Sequence, residues 1–365
     1  MINVLVSSLS RDFGGVESLF LMICKNCKST DLHFDFICTD KSAAREDEFV
    51  DVGAKVYHLP RPGKDLSGYQ RGLKQILKNG DYQIFHVNLT RFRFPGEIIL
   101  AKSCGLKVVL HSHATQIYKT GNQRRDLLRK AEQVAFRPIV LAASDLNIAC
   151  CKTAGEYLYG KTPYTILYNG IETKKYRFDE AARKKVRAEF GITDDEKVLG
   201  HIGRFSDEKN HEFLLQIFKR IYEDIPNTKL LCVGNGDLFE QVKNQAKQLG
   251  IEGQVIFAGQ RSDIPDLLSA MDVFVFPSKH EAFPMTLIEA QANGLPCIVS
   301  DCVTREIDIG NYIGFHNIGD GFDKWKMAVE LVNMTRDIED ETEINRFNID
   351  TMIEKLRQLY GEYIK

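Results

Sequence analysis

Residues 197–224 read KVLGHIGRFSDEKNHEFLLQIFKRIYED, and this stretch decides the class of fold. It begins with a short apolar run, Lys197–Ile202, continues through a polar loop, and ends in an amphipathic pattern over Glu212–Asp224. A buried strand, a loop and a helix in this order form the repeating unit of a parallel α/β sheet. We therefore predict one such unit here and look for further copies on both sides.

The same alternation of strand and helix continues along the chain in both directions. Further strands are predicted at Asn3–Ser7, Phe34–Cys38, Lys55–His58, Ile84–Val87, Lys107–His111, Leu146–Cys150, Thr165–Leu167, Lys229–Val233, Gln254–Phe257, Val273–Phe276 and Pro296–Val299. Helices are predicted at Val16–Lys28, Gly72–Lys78, Gln123–Phe136, Leu238–Leu249, Pro265–Ala270 and Met285–Ala292, with a last one at about Ile349–Tyr363. Two successive runs of this kind predict two doubly wound α/β domains.

The boundary between the two runs is expected between Gly170 and Gly191. Asn169-Gly170 is a turn signal, and Glu172–Phe190 is strongly charged and lacks strand character. We predict an N-terminal domain over residues 1–171, a C-terminal domain over 172–345, and a terminal helix within 346–365. A chain of 365 residues has room for two cores of this size.

The charge balance differs between the two halves. The whole chain has 48 Lys and Arg against 50 Asp and Glu, a formal net charge of −2, which disfavours a dedicated nucleic-acid-binding protein. Residues 1–170 carry 23 basic and 16 acidic side chains, whereas the remainder carries 25 and 34. The first half is therefore basic and suited to an anionic partner, and the second half is acidic.

Cysteine usage and hydropathy favour a cytoplasmic protein. No window holds 18 apolar residues without charges, and the apolar N-terminus has no preceding basic segment, so we expect neither a spanning helix nor a signal peptide. The nine cysteines are scattered from Cys24 to Cys302, which suits a reducing compartment. Cys24-Lys25-Asn26-Cys27 has the spacing of a redox pair, but without a second such pair we favour ordinary thiols on a helix.

Ligands of doubly wound sheets bind at the carboxyl ends of the strands, so the loops that leave strands are the candidate sites. The first loop contains Gly14-Gly15 before a helix, which allows close backbone approach to a ligand or simply a tight turn. After Lys197–Ile202 come Arg204 and Lys209, which can bind phosphate oxygens or lie solvated on the surface.

A third loop, Ser278–Glu289, combines two carboxylates with a predicted helix start. Pro284 is suited to the first helical position, and the amides of Met285, Thr286 and Leu287 would then be available to an anion. Glu281 lies just outside this helix and Glu289 more than one turn inside it. These two carboxylates can accept hydrogen bonds from hydroxyl groups at two separate points of one ligand.

Glu281 and Glu289, placed around Phe283-Pro284, resemble the double-glutamate motif of glycosyltransferase family 4, whose members are retaining enzymes with the GT-B fold. The resemblance extends from residue 2 to about 310 and is more specific in the second half. Its further parts are Gly14-Gly15-Val16-Glu17, Tyr168-Asn169-Gly170-Ile171, Gly203-Arg204 with Lys209-Asn210, Val233-Gly234-Asn235-Gly236, and the run from Phe257-Ala258-Gly259 to Asp301.

The resemblance implies a role for each matching residue. Arg204 and Lys209 would hold the diphosphate of the donor, Glu281 the transferred sugar and Glu289 the ribose. The expected donor-binding set also contains Gly14, Gly15, Gly203, Gly234, Phe283, Pro284 and the amides of Met285, Thr286 and Leu287. A histidine at the end of a first-domain strand would lie near the sugar; His113 fits by strand length, with His111 as the alternative. His86-Val87-Asn88 stands where the family often has His-x-His.

The fold and activity that the resemblance implies are those of a hexosyltransferase. Two Rossmann-like domains would face each other across a cleft, and the C-terminal helix would return to the first domain. The enzyme would transfer a sugar with retention from a nucleotide donor, a UDP-hexose or UDP-N-acetylhexosamine, to a lipid-linked or saccharide acceptor in polysaccharide biosynthesis. It would use no metal and no cofactor. A GT-B sugar-nucleotide epimerase, a sugar phosphorylase and a non-catalytic sugar-nucleotide-binding protein are the alternatives.

Residues 119–137 form a basic amphipathic segment in the first half. Its basic residues are Lys119, Arg124, Arg125, Arg129, Lys130 and Arg137, against Asp126 and Glu132, and its apolar residues are Leu127, Leu128, Ala131, Val134 and Phe136. Such a helix can dock on anionic lipid, and it can equally be an ordinary solvated helix. The first reading predicts a peripheral enzyme on the inner face of the membrane.

Overall fold

The computed structural model of the chain describes residues 1–11, 14–117, 121–310, 312–332, 336 and 341–364. The chain divides into two units, which are described separately below. The first unit consists of Met1–Ile171 and Arg346–Lys365, and the second unit of Glu172–Asn345.

Each unit contains one parallel sheet. The 7-stranded sheet of the first unit has the order β3-β2-β1-β4-β5-β6-β7, and the 6-stranded sheet of the second has the order β10-β9-β8-β11-β12-β13. The strands are β1 Ile2–Leu9, β2 Leu32–Cys38, β3 Val56–His58, β4 Ile84–Leu89, β5 Lys107–Ser112, β6 Leu146–Ala149, β7 Thr165–Ile166, β8 Lys197–Ile202, β9 Thr228–Val233, β10 Val255–Gly259, β11 Val273–Phe276, β12 Cys297–Ser300 and β13 Ile313–His316.

Helices connect the strands and cover the sheets. They are α1 Gly15–Asn26, α2 Glu46–Asp51, α3 Leu66–Asn79, α4 Gly96–Ser103, α5 Gln123–Ala143, α6 Lys152–Tyr159, α7 Glu180–Glu189, α8 His211–Asp224, α9 Phe239–Gln248, α10 Ile264–Ala270, α11 Met285–Ala292, α12 Phe322–Leu331, α13 Glu341–Asn345 and α14 Ile349–Ile364. The predicted doubly wound α/β class is confirmed.

The first unit buries both faces of its sheet, because successive side chains of a strand point to opposite sides. Val4 and Val6 of β1 lie in one apolar cluster, whereas Leu5 between them lies in another. The final helix α14 contributes Met352 and Tyr360 to the cluster that contains Val4. This packing confirms that the C-terminal helix returns to the first domain.

The second unit has its own core, built around Leu199, Phe218, Leu230, Val275 and Trp325, all fully buried. Four of its elements were not predicted, namely α7, β13, α12 and α13. The segment that forms α7 reads as a charged linker, but its arginines are partly internal. Arg183 and Arg187 each bind the carboxylate of Asp272 at 2.7 Å, so their charges attach the helix to the sheet.

Helix α5 extends through Pro138 to Ala143, seven residues beyond the predicted end at Phe136. A proline inside a helix removes one backbone hydrogen bond and usually ends the helix. Here Pro138 is exposed, while Val140 beyond it is buried in the core of the first unit. Packing of the last turn therefore outweighs the local cost of the proline.

Cys24 and Cys27 are free, buried thiols near the end of α1. Burial raises the pKa of both thiols above the ordinary value, which keeps them protonated and unreactive. They therefore lack the properties of a redox pair.

Both sheets have a point at which the strand order reverses direction. It lies between β1 and β4 in the first unit and between β8 and β11 in the second. Doubly wound sheets bind ligands in the crevice at such a point, outside the carboxyl ends of the strands.

Candidate active site

The loops that leave β8 and β11 are held together at the switch point of the second unit. The backbone N–H of Lys279 donates to the carbonyl of Glu208 at 2.8 Å, and the side-chain amide of Asn210 donates to the carbonyl of Pro277 at 3.1 Å. Asn210 adopts a left-handed conformation with φ of 57°, which asparagine tolerates better than most residues. It thereby ends the β8 loop and allows α8 to begin at His211.

Lys209 and Glu281 are brought into contact by this arrangement, although 72 residues separate them. The Lys209 ammonium lies 2.6 Å from Oε1 of Glu281 and 4.6 Å from the centre of the Phe276 ring. Both side chains are partly buried, which makes their charges more effective than exposed ones. Arg204, in the same loop, is exposed and has no ion pair among the described residues.

Gly203 and Gly234 allow two strand-end loops to approach closely. A Cβ atom on Gly234, whose φ is 135°, would lie 2.1 Å from the carbonyl oxygen of Gly203. The N–H of Gly203 in turn donates to the carbonyl of Val233 at 2.9 Å. The two predicted donor-binding glycines thus have a clear packing role, because no other residue fits at 234 without moving the backbone.

Helix α11 has the predicted bounds, Met285–Ala292, but Pro284 is not its first helical residue. Pro284, with ψ of 102°, is extended and precedes the helix, so Met285 is the first helical residue. The N–H of Leu287 donates to the carbonyl of Pro284 at 3.1 Å, which corrects the expectation that this amide is available. The amides of Met285 and Thr286 have no acceptor among the described residues, and the buried hydroxyl of Thr286 has no partner there either.

Glu289 has a separate partner on the other side of α11. The hydroxyl of Tyr176 donates to Oε1 of Glu289 at 3.0 Å, and Asn293 binds the carbonyl of Tyr176 at 2.8 Å. Burial raises the pKa of Glu289 to about 7, against the lowering effect of the Tyr176 hydrogen bond. Sequence reasoning missed Tyr176, because it lies in the charged segment taken as a linker and matches no motif.

In the first unit, Glu17 holds the loop between β1 and α1. This carboxylate is 8% exposed and accepts hydrogen bonds from the hydroxyl of Ser10 at 2.9 Å and the N–H of Gly14 at 3.1 Å. The amide of Gly14 is therefore already engaged. Gly15 has open space where a Cβ would stand, while residues 12 and 13 of this loop lie outside the described residues.

His113 lies directly after the end of β5 and is partly exposed. Its Nε2 is 2.9 Å from Oδ1 of Asn88, and its ring lies 4.0 Å from that of His111. Burial lowers the pKa of His113 to about 4, so the ring is neutral at pH 7. Asn88, which stands where the family often has a second histidine, thus serves to orient His113.

His111 belongs to a line of buried side chains. Its Nδ1 is 3.3 Å from Nε2 of His86, and the hydroxyl of Tyr360 on α14 lies 2.6 Å from Nδ1 of His86. His86 and His111 are at most 1% exposed. Burial lowers the pKa of both, to about 3 for His86. This setting is that of a core histidine.

The basic segment forms most of α5, apart from Lys119, which lies outside the described residues. Leu127, Leu128 and Val134 are 70%, 59% and 76% exposed. Arg124, Arg125 and Lys130 are exposed as well, whereas Arg137 donates to the carbonyl of Tyr159 at 2.8 Å. The helix therefore presents apolar and basic side chains to solvent together.

The described ranges contain no helix with the length and apolarity needed to cross a bilayer. The same ranges contain no group of three histidine, cysteine, aspartate or glutamate side chains arranged to hold a metal ion.

Comparison with known proteins identifies the family. A family model described as Glycosyltransferase Family 4 matches residues 13–175, and one described as Glycosyl transferases group 1 matches residues 182–315. EpsF of Bacillus subtilis, a protein assigned as a glycosyltransferase, is 31% identical over 306 residues, which cover 81% of this chain and 78% of EpsF. The chain belongs to glycosyltransferase family 4.

One further relative agrees with this assignment, and one solved structure shows the fold. An Escherichia coli enzyme named UDP-Gal:alpha-D-GlcNAc-diphosphoundecaprenol alpha-1,3-galactosyltransferase is 27% identical over 375 residues, 96% of this chain and 94% of that enzyme. Anabaena HepE, solved in complex with UDP and glucose, superposes with a TM-score of 0.78 at 18% identity, covering 99% of this chain and 100% of HepE. The fold of this family 4 chain is GT-B, and the protein is a glycosyltransferase of glycan biosynthesis.

Proposed function

We propose that this glycosyltransferase transfers a hexose or N-acetylhexosamine, with retention and without a metal, from a UDP-sugar to a lipid-linked or saccharide acceptor. The observation that carries the proposal is the contact of Lys209 with Glu281 beside the start of α11, at the switch point of the second unit. It combines a cation for a diphosphate with a carboxylate for sugar hydroxyls. The UDP bound to HepE and the UDP-Gal in the name of the E. coli relative support the choice of donor.

The proposed diphosphate site uses four donors of different kinds. Arg204 offers a forked guanidinium, Lys209 a point charge, and Met285 and Thr286 backbone amides at a helix N-terminus. The buried Thr286 hydroxyl, which has no partner among the described residues, adds a further donor. Together they can neutralise the departing UDP, which is the task that a metal ion performs in other transferases.

The proposed sugar and ribose contacts use the two glutamates. Glu281 is engaged by the Lys209 ammonium, so it is arranged to accept hydrogen bonds from sugar hydroxyls and not to act as a general base. Glu289, positioned by Tyr176, accepts the ribose hydroxyls. In the first unit, neutral His113 is the candidate for contact with the transferred sugar. Since none of the site carboxylates in the described part of the chain is set apart as a nucleophile, we infer a same-face reaction without a stable covalent intermediate.

Product analysis tests the proposal directly. We expect the protein to release UDP from a UDP-sugar only when an acceptor is present, and the new glycoside to have the anomeric configuration of the donor by proton NMR. Activity should persist after dialysis against EDTA. An inverted product would contradict retention, and loss of activity that Mg²⁺ or Mn²⁺ restores would contradict metal independence.

An isomerised sugar nucleotide, or a free sugar phosphate as product, would instead indicate an epimerase or a phosphorylase. Binding of UDP-sugars without any product in the presence of lipid-linked and saccharide acceptors would indicate a non-catalytic protein. No contact among the described residues favours these alternatives over transfer.

A lipid-linked acceptor also suggests a peripheral location on the inner face of the membrane, with α5 as the docking helix. Each basic side chain near an anionic bilayer contributes roughly 1 kcal/mol. We expect the wild-type protein to sediment with phosphatidylglycerol vesicles and the Arg124→Gln, Arg125→Gln, Leu127→Gln variant to remain in solution. Equal sedimentation of the wild type and the variant, or no dependence on anionic lipid, would show that α5 is not the docking helix.

A further inference from the structure

A cavity of about 630 Å³ lies in the first unit between α3 and the β3 edge of the sheet. Its lining comes from the first half of β2, from residues 55–59 in and around β3, from the second half of α3 and from the turn that leads into β4. Its volume is in the range of ordinary ligand sites, about 300–1,000 Å³. The proposed transfer reaction uses none of these residues.

The buried carboxylate of Asp35, which is 3% exposed, organises the strand side of this cavity. Nε2 of His33 lies 3.0 Å from its Oδ1, and the backbone N–H of Lys55 donates to the same oxygen at 2.7 Å. The hydroxyl of Tyr82 donates to Oδ2 at 2.5 Å, and the hydroxyl oxygen of Tyr57 lies 3.0 Å from that of Tyr82. A buried polar network in which every member is satisfied is rigid. Both tyrosine side chains are therefore held in fixed positions at the cavity.

The helix side of the cavity presents amide groups. Gln75 and Asn79 lie one turn apart on α3, and both are exposed. Neither side chain has a hydrogen-bond partner in the part of the chain that the structure describes, and the same holds for the ammonium of Lys55. Each amide offers two donors and an acceptor, so it can bind hydroxyl groups in either direction.

The charges around the cavity nearly balance one another. Asp35 and Asp81 contribute two carboxylates, which face the ammonium of Lys55 and the rings of His33 and His58. An anion would meet no excess of positive charge here, and Asp35 already accepts three hydrogen bonds. This lining favours a neutral ligand that has many hydroxyl groups.

The rings of Tyr57 and Tyr82 add apolar contact surface, since both are partly exposed and line the cavity. The C–H bonds of a pyranose ring carry a small positive charge and pack on the negative face of an aromatic ring. Tyrosine is a favourable contact residue because it loses little conformational entropy on binding. Rigid aromatic rings beside amides without partners, with nearly balanced charge, match the chemistry of a neutral saccharide.

The cavity is far from the residues assigned to the transfer reaction in the same unit. Tyr57 lies on β3, and His113 follows β5, which is four strands away in the order β3-β2-β1-β4-β5. Four spacings of about 4.8 Å separate these strands by roughly 19 Å. A saccharide bound at Tyr57 is therefore outside the place where the transferred sugar would contact His113.

We propose that this cavity is a second saccharide site, which binds a neutral part of the glycan that is remote from the reacting end. Tyr57 supplies its aromatic surface, and Gln75 and Asn79 supply its hydrogen bonds. The inference goes beyond the proposed transfer reaction and rests on the membership of the chain in a family of glycan biosynthesis. A glycan held at both places has a higher effective concentration of its reacting end at the transfer site.

The test uses the full chain with saturating UDP and titrates chitopentaose and cellopentaose, which are neutral oligomers of an N-acetylhexosamine and of a hexose. Ligand-observed NMR gives the Kd. We expect at least one of the two to bind the wild type, and its Kd to rise about tenfold in Gln75→Ala, Asn79→Ala. The loss of one neutral hydrogen bond typically weakens an interaction by a factor of about two to ten. Alanine favours a helix, so this variant should fold.

The matched control is Asn244→Ala, Gln248→Ala at the end of α9 in the second unit. It removes the same two residue types at the same spacing, and both side chains are exposed. Its Kd should stay within about twofold of the wild type, as for ordinary surface substitutions.

The aromatic contact is tested with a second pair of variants. Tyr57→Leu should raise the Kd severalfold, because it removes the ring. Tyr222→Leu is its control and should leave the Kd unchanged, since Tyr222 is likewise a partly buried tyrosine that packs against a core, but in the second unit.

Four outcomes would overturn the inference. They are no binding of either oligosaccharide, equal Kd values in the two amide variants, binding lost in His113→Ala but kept in Gln75→Ala, Asn79→Ala, and tighter binding of uridine than of the oligosaccharides in the cavity. Failure of the proposed function looks different, because UDP-sugars would then yield no UDP in the presence of acceptors. The oligosaccharide titration does not depend on turnover, so it reports on the cavity in either case.

Discussion

The first loops of the two units occupy equivalent places in their sheets but offer opposite chemistry. In the first unit, Glu17 turns back and accepts the hydroxyl of Ser10 and the amide of Gly14. In the second unit, the loop after β8 presents Arg204 and Lys209, and the neighbouring α11 leaves the amides of Met285 and Thr286 available. The donors of the first loop are therefore bound to Glu17, whereas those of the second loop are available to an anion.

The net charge of each half does not match the chemistry of its strand-end loops. The second half of the chain is acidic overall, with 25 basic and 34 acidic residues after Gly170, yet it contains the candidate diphosphate site. The basic first half has neutral, buried histidines at its switch point. The charge of a few fixed side chains thus determines where an anion binds, and the total charge of a domain does not.

The largest expected effect is on the second unit, through Lys209. Loss of one preorganised donor to a leaving group typically lowers the rate by about 10²–10³. We expect Lys209→Ala and Arg204→Ala each to lower turnover by that factor in a UDP-release assay, with unchanged circular dichroism. Lys219→Ala, which removes a partly exposed lysine on α8, should keep normal turnover. Near-normal turnover in both test variants would show that this loop does not bind the diphosphate.

A second effect concerns Glu289 and its dependence on pH. The pKa of this carboxyl is raised to about 7, so it gains a proton as the pH falls below 7 and becomes a weaker acceptor for ribose. We therefore expect the KM for the UDP-sugar to rise as the pH falls from 8 to 6. Glu289→Gln should raise the KM roughly 10- to 100-fold, as expected for hydrogen bonds to a charged group, and remove this dependence.

Tyr176→Phe provides the matched variant for Glu289. The hydrogen bond from Tyr176 lowers the pKa of Glu289, so its loss should move the inflection in KM to a higher pH. The same raised pKa predicts that the contribution of Glu289 to stability falls as the pH rises from about 4.5 to about 7, because the unfolded chain releases that proton first. If Tyr176→Phe does not move the inflection, a group other than Glu289 causes the pH dependence of the KM.

A smaller effect on rate is expected at His113, where the two candidate histidines can be separated. His113→Ala should lower turnover about tenfold, as for one neutral hydrogen bond, and should leave the melting temperature nearly unchanged. His111→Ala should instead lower the stability by about 1–3 kcal/mol, because it leaves Nε2 of the buried His86 without its partner. Since the pKa of His113 is about 4, its titration should not affect the rate between pH 6 and 8. The reverse pattern would favour His111.

The positions of the strands and the doubly wound α/β class follow from signals that lie close together in the sequence, whereas the order of the strands within each sheet comes from the structure. Short apolar strands such as Lys197–Ile202 have their observed bounds because both faces are buried, which requires a continuous apolar run. The helix α7 was missed for the opposite reason. Its stabilising contacts are ion pairs of Arg183 and Arg187 with Asp272, more than 80 residues away. No local pattern in the sequence indicates these contacts.

The same distinction holds for the site residues. Lys209 and Glu281 could be proposed because each lies in a strand-end loop with a family motif, although only the structure shows their 2.6 Å contact. Tyr176 could not be found in this way. It lies in a charged segment that matches no motif, and the residue that it binds, Glu289, is 113 residues away in the chain.

The smallest effect on catalysis and a clear effect on stability are expected at Tyr360. Its hydroxyl connects α14 to Nδ1 of buried His86, so Tyr360→Phe leaves that nitrogen without a partner at a cost of about 1–3 kcal/mol. Tyr363→Phe is the control, because its hydroxyl has no hydrogen-bond partner among the described residues. In urea unfolding only Tyr360→Phe should lose stability, and the Kd for UDP should stay the same in both variants, since the candidate UDP site lies in the second unit. Weaker UDP binding in Tyr360→Phe would mean that the buried contact of Tyr360 with His86 is energetically coupled to the candidate phosphate site of the second unit. The switch points of the two units would then not be independent.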